Sequence, residues 1–123
     1  MLLNPNENYV TNSNRLLTFG GNSEDIINDV QINSSKVTIG GQFKNTVDFD
    51  PSASVSNLTS AGGSDAAIVK FDANGNFIWA KGMGGTSTEE PSKLVIDSND
   101  NIITTGYFSG IADFETAYGA QQE

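Results

Sequence analysis

Short runs of alternating apolar and polar residues dominate the chain. Val30 and Ile32 alternate with Asp29, Gln31 and Asn33, which predicts a strand with one buried face. Val37, Ile39, Gly41 and Phe43 then share one face, with Lys36, Thr38, Gly40 and Gln42 on the other. Ala66 to Phe71 (AAIVKF) is apolar at nearly every position, as expected of a strand covered on both sides. Phe77 to Lys81 (FIWAK) puts Phe77 and Trp79 on one side and Ile78 and Ala80 on the other. Between the last two strands, Asp72-Ala73-Asn74-Gly75-Asn76 holds an Asn-Gly pair, a hairpin cue because both residues tolerate positive φ. No apolar spacing of three to four residues persists long enough for a long helix, and 13 glycines oppose one further.

The same pattern returns roughly 64 residues later, the mark of a supersecondary unit used again. Gly20 to Asp50 aligns with Gly84 to Glu115, with one residue inserted in the second copy. Gly20-Gly21 matches Gly84-Gly85, Gly41-Gln42-Phe43 matches Gly106-Tyr107-Phe108, and Asp48-Phe49-Asp50 matches Asp113-Phe114-Glu115. In the second copy Leu94 and Ile96 repeat the first strand. Ile102, Thr104, Gly106 and Phe108 repeat the second. Asn33-Ser34-Ser35 and Asp97-Ser98-Asn99-Asp100-Asn101 fall at the same turn. Each period therefore reads as four antiparallel strands followed by a Gly-Gly crossover. Residues 22–85 form one complete unit. Residues 1–21 read as the end of a preceding unit, with strands near 9–11 and 15–19, and 86–123 as the first half of the next plus an irregular tail. The incomplete edges lead us to expect an excerpt from a longer array.

Four-stranded units at a period of roughly 40 to 65 residues predict an all-β fold of β-propeller-type antiparallel blades, with about two blades present. Three stretches carry a specific likeness: Thr46 to Pro51 (TVDFDP), Leu58 to Asp65 (LTSAGGSD) and Val69 to Lys81 (VKFDANGNFIWAK). With the hairpin from Asp97 to Phe108, they resemble the bacterial seven-bladed β-propeller repeat family, often called SBBP. That resemblance implies a secreted or cell-surface protein, a non-enzymatic scaffold or binding role, and no catalytic residues to transfer. The turn Asn33-Ser34-Ser35 departs from the Asp- and Gly-rich hairpin usual at that place in the family.

Composition narrows the function classes. The chain has no histidine and no cysteine, which removes serine–histidine and cysteine–histidine catalysis, disulfides and thiolate metal sites from these 123 residues. Fifteen acidic against six basic residues give a formal charge of −9, which repels phosphate backbones and anionic membrane surfaces. No apolar run approaches the roughly 20 residues that span a bilayer, so neither nucleic acid nor membrane insertion is expected. The N-terminal residues lack the basic flank of a signal peptide. The expected partners are neighbouring blades or further copies of the chain, and a protein or glycan ligand.

Long connections on a rigid scaffold are where binding sites concentrate. If the short hairpins (33–36, 72–76, 97–101) share one face, then 20–28, 44–64 and 84–92 share the other. That second face would gather Glu24, Asp25, Asp48, Asp50, Glu89, Glu90, Asp113 and Glu115 as an acidic surface. Asp48 and Asp50, two apart around Phe49, have the chemistry to hold Ca²⁺. The competing reading makes them braces for loop N–H groups, and the recurrence of Asp113 and Glu115 at the same repeat position favours it. No organic cofactor is expected. A carboxylate pair for glycoside hydrolysis is disfavoured because it recurs in each repeat, and Trp79 is expected in the core. The functional expectation is a scaffold or binding module. The alternative is an accessory propeller of a secreted hydrolase or lyase whose catalytic residues lie elsewhere.

Overall fold

The computed structural model describes residues 18–33 and 35–113. The strand expected at 9–11, most of that expected at 15–19, and Phe114 and Glu115 lie outside the described residues. Every regular element described is a strand: β1 (Ile26–Asn33), β2 (Lys36–Phe43), β3 (Thr46–Asp48), β4 (Asn57–Thr59), β5 (Asp65–Asp72), β6 (Phe77–Gly85), β7 (Glu89–Ile96), β8 (Ile102–Phe108) and β9 (Ala112–Asp113). β1, β2, β5 and β6 make an antiparallel meander, the four-stranded sheet of a propeller-type blade. β7 and β8 form a second antiparallel hairpin that lies across the sheet, packed on β1 and β2.

The core follows from alternation. β2 and β5 pair without a break from Lys36↔Asp72 to Phe43↔Asp65. Val37, Phe43, Ala67, Val69 and Phe71 therefore bury together on one face. The apolar run of β5 is buried along its length because that face carries this cluster while the other meets the β7–β8 layer. Burying each large side chain contributes about 1.5–3 kcal/mol, so this cluster dominates the stability of the sheet.

Three features depart from strict alternation. β1 begins at Ile26, upstream of the alternating run, because a bulge between Ile27 and Asp29 interrupts the period. The second copy has its bulge at the same place, between Pro91 and Lys93. Each lies opposite a glycine. A Cβ on Gly41 would collide with the Ile26 carbonyl, and one on Gly106 with that of Glu90, so both positions require the missing side chain.

A further bulge at Lys70/Phe71 pairs Lys70 with Trp79 and Phe71 with Phe77. The extra residue, Ile78, reverses the expected facing. Phe77 and Ala80 pack on the core, whereas Trp79 leaves it for the opposite side. There the Lys70 and Lys81 ammonium groups lie 6.0 and 4.8 Å from its ring centroid.

The third departure is the 44–64 connection, which is no open loop. β3 and β4 pair as a hairpin, and Val47, Phe49 and Leu58 lie back over the sheet. Phe49 meets Phe43 edge-on at 5.4 Å and Phe19 at 5.8 Å.

Candidate functional site

The best-built feature outside the core is the seam between the two copies of the repeat. It is made by residues of the first copy that bond at, or one position from, their equivalents in the next. The Asp29 carboxylate accepts the Leu94 N–H at 2.7 Å, the Asn28 amide donates to the Pro91 carbonyl, and the Asn33 amide donates to the Asp97 carbonyl at 3.4 Å. Their separations are 65, 63 and 64 residues, the repeat length itself. Leu94 sits directly on Gly40, whose absent Cβ would lie 3.1 Å from it. Asp29 is held below the ordinary carboxylate range chiefly by the Leu94 N–H, against some loss of hydration.

Both ends of the seam repeat as well. Gly20 pairs with Asp48 in one copy, and Gly84 with Asp113 in the other. In each copy a residue of the Gly-Gly crossover is thus paired by a short strand that follows the next repeat's second strand. One residue on, the Gly21 N–H donates to Asp25 at 2.9 Å and the Gly85 N–H to Glu89 at 3.0 Å, the same brace twice. The turns match too. The carboxylate of Asp72 accepts the Asn74 and Asn76 N–H groups, and that of Asp97 accepts those of Asn99 and Asn101. Gly75 (φ 82°) and Asp100 (φ 63°) occupy the left-handed position in each. Asp97 is held below its ordinary range mainly by the Asn101 side chain and N–H. Both Asp-x-Asn-x-Asn segments are therefore hairpin turns stabilised by their own aspartates.

Most of the described acidic residues expected on one face have local partners. Glu24 pairs with Lys44 at 3.6 Å, and Asp25 also accepts the Lys44 N–H at 3.3 Å. Asp48 accepts the N–H groups of Asp50 and Ser56, at 3.0 and 2.9 Å, and Asp50 accepts that of Ser52 at 2.9 Å. These are loop braces. Asp50 lies beside the 72–76 turn, lining a cleft with Gly75 and Phe77, because β3–β4 carries it across the sheet to that end. Glu89 is only 1% exposed, so it is not part of an open surface. Glu90 is exposed at the edge of β7. Asp113 is placed by its backbone pairing with Gly84, and Glu115 lies outside the described residues. No group of three or more acidic side chains able to hold a metal occurs among the described residues.

Sequence reading missed Asp65, which is 5% exposed at the head of β5 and lies against Glu89. The available signal was a carboxylate placed between Gly-Gly-Ser and an unbroken apolar run. Burial pushes Asp65 above the ordinary carboxylate range; the Ala61 N–H opposes this, and the neighbouring Glu89 adds to it.

Two apolar faces remain open. On one side β1 exposes Ile26, Ile27, Val30 and Ile32, beside a cleft of about 290 Å³ under Phe19. On the other, β8 exposes Ile103, Tyr107 and Phe108. Val30 is the repeat equivalent of Leu94. It is 47% exposed where Leu94 is 3% exposed, which shows what a covering repeat does to that position.

A stretch of 58 residues, 47% of the chain, is 38% identical to an uncharacterised WD repeat-containing protein of Acanthamoeba polyphaga mimivirus. The chain spans 4% of that protein's length. This similarity points to a β-propeller-like repeat. No protein-family profile matches, that of the bacterial seven-bladed repeat included, and no solved structure matches. The four-stranded sheet and the partial likeness to a WD-repeat protein agree on a repeat scaffold or binding module as the broad function class.

Proposed function

We propose that this chain is a non-enzymatic β-propeller repeat segment of the bacterial seven-bladed type, working as a scaffold in a secreted or cell-surface protein. Residues 22–85 form one blade, residues up to 21 end the one before, and those from 86 begin the next. The supporting observation is the seam. Its hydrogen bonds span one repeat length to within a residue and join the first strands of successive copies, so the fold is organised to propagate. Its acids serve chiefly as braces within that framework. Ligand binding falls to the remaining accessible acids, Glu24 in the 20–28 loop, half-buried Asp50 in the cleft beside the 72–76 turn and Glu90 on β7, which supply negative charge suited to cationic groups on a protein or to hydroxyls of a glycan.

The open β1 and β8 faces are covered by further repeats or by other copies of the chain. Contiguous exposed apolar surface of this kind drives association. Light scattering on the chain alone should show a mass that grows with concentration. A compact monomer with a single cooperative melt across the accessible range would overturn this reading.

A further inference from the structure

The seam holds a buried acid pair that the braces do not explain. Asp65 opens β5 and Glu89 opens β7, and the two segments run side by side in parallel. Gly63 N–H donates to the Ser87 carbonyl at 2.9 Å and Glu89 N–H to that of Ser64 at 2.8 Å. The side chains bury with them, at 5% and 1% exposure. One oxygen of each is satisfied: Asp65 Oδ2 accepts the Ala61 N–H at 3.0 Å, and Glu89 Oε2 accepts that of Gly85 at 3.0 Å. The remaining oxygens, Asp65 Oδ1 and Glu89 Oε1, are buried and find no donor. Two buried carboxylates side by side repel, and each orphaned oxygen carries the full cost of lost hydration. Yet the paired backbones set the two acids side by side at the heads of β5 and β7. A single proton removes both difficulties, because a carboxyl O–H donates to a carboxylate.

We propose that Asp65 and Glu89 share one proton, donated by Asp65, and that this proton locks consecutive repeats together. Among the described residues, Glu89 is the one charged group whose field acts on Asp65. Loop 60–64 carries no ionisable side chain. Lys70 on β5 and Lys81 on β6 lie over Trp79. Glu90 and Lys93 follow on β7, Tyr107 pairs with Glu90 from β8, and the β9 backbone sets Asp113 opposite Gly84. Gly84 itself leaves the space, since a Cβ there would collide with the Asp65 carboxyl group.

The sign is opposite to that of an ordinary salt-bridged acid. Asp65 is raised on folding, chiefly by burial, so the folded chain binds the proton more tightly than the unfolded chain. The stabilisation is complete below the unfolded value and is lost as pH rises through the folded one. The lock therefore opens on alkalinisation. It depends only on the packing of the two repeats, so its failure would leave the scaffold role standing.

The test is a carbon-detected NMR titration of side-chain carboxyl groups in the whole chain, with hydrogen exchange at the Gly63 and Glu89 amides. Asp65 should titrate above the ordinary carboxylate range. Above that midpoint, protection of both amides should fall by up to about tenfold per pH unit, the linkage limit for one proton. In Asp65→Asn, which keeps a donor facing Glu89, protection should not change with pH. If that variant does not fold, the wild-type titration still decides. An Asp65 midpoint in the ordinary range would overturn the proposal. So would a rise in melting temperature with Ca²⁺ at alkaline pH, since a cation would then occupy the place of the proton.

Discussion

Leu94 and Val30 occupy the same position in successive repeats, but among the described residues Leu94 packs on a neighbouring repeat and Val30 does not. Leu94→Ala removes a side chain that is 3% exposed and seated on the Gly40 backbone. β2 is paired on both sides, by β1 and β5, so the strand beneath the new cavity has little freedom to collapse into it. The loss should lie in the upper part of the usual Leu→Ala range, about 3–4 kcal/mol. Val30→Ala removes two methyl groups from a side chain that is 47% exposed. At about 0.8 kcal/mol per fully buried carbon, the cost should be about 0.8 kcal/mol. For a domain of this size that is a fall in melting temperature of roughly 3–6 °C for Val30→Ala, against at least roughly 12 °C for Leu94→Ala. Thermal and urea melts followed by circular dichroism would measure both. Equal losses in the two variants, within about 1 kcal/mol, would refute the reasoning, because β7–β8 would then not be docked on the sheet.

Gly41→Ala should destabilise by about 2 kcal/mol or more, since its Cβ would meet a backbone carbonyl rather than a side chain that can turn aside, and a urea melt would show it. Gly106→Ala should do the same to the β7–β8 hairpin, with protection of the Pro91–Lys93 bulge as the readout. Acid should loosen the seam from the other side. Asp29 is depressed on folding by the Leu94 N–H, so its contribution is present above the unfolded value and lost as pH falls through the folded one. Protection of the Leu94 amide should therefore fall on acidification below the ordinary carboxylate range in the wild type, and stay flat in Asp29→Ala. With the Asp65 proton lost at higher pH, the seam should be tightest within a window between the two titrations.

The strands were legible because alternation over β1 and β2 is long enough to fix which residues turn inward, and the unbroken apolar run of β5 marks a strand covered on both faces. The turns were legible because Asp72 and Asp97 each sit where a side-chain acceptor meets two backbone donors. β3 and β4 were not, because three residues carry no period. Their placement is tertiary and depends on Val47 and Phe49 finding the sheet. The facing of Trp79 failed for a related reason, since one bulged residue, Ile78, reverses every side chain after it. The local partners of the acids were not legible, because Asp25 and Glu89, four after Gly21 and Gly85, and Asp48 and Asp50, two before the N–H groups they accept, carry no mark of those bonds in the pattern. Glu89 looks identical to an exposed acid in sequence, and only its pairing with Asp65 across the seam reveals that it is buried.

The central claim is that successive copies of the repeat pack on each other in equivalent register. It is tested most directly by methyl NOEs from Leu94 in the chain in solution. Close packing predicts cross-peaks from the Leu94 methyl groups to the Gly40 α-protons, since a Cβ on Gly40 would lie only 3.1–3.3 Å from that side chain. Leu94 methyl groups with no cross-peak to β2, and freely accessible to a soluble paramagnetic probe, would contradict it.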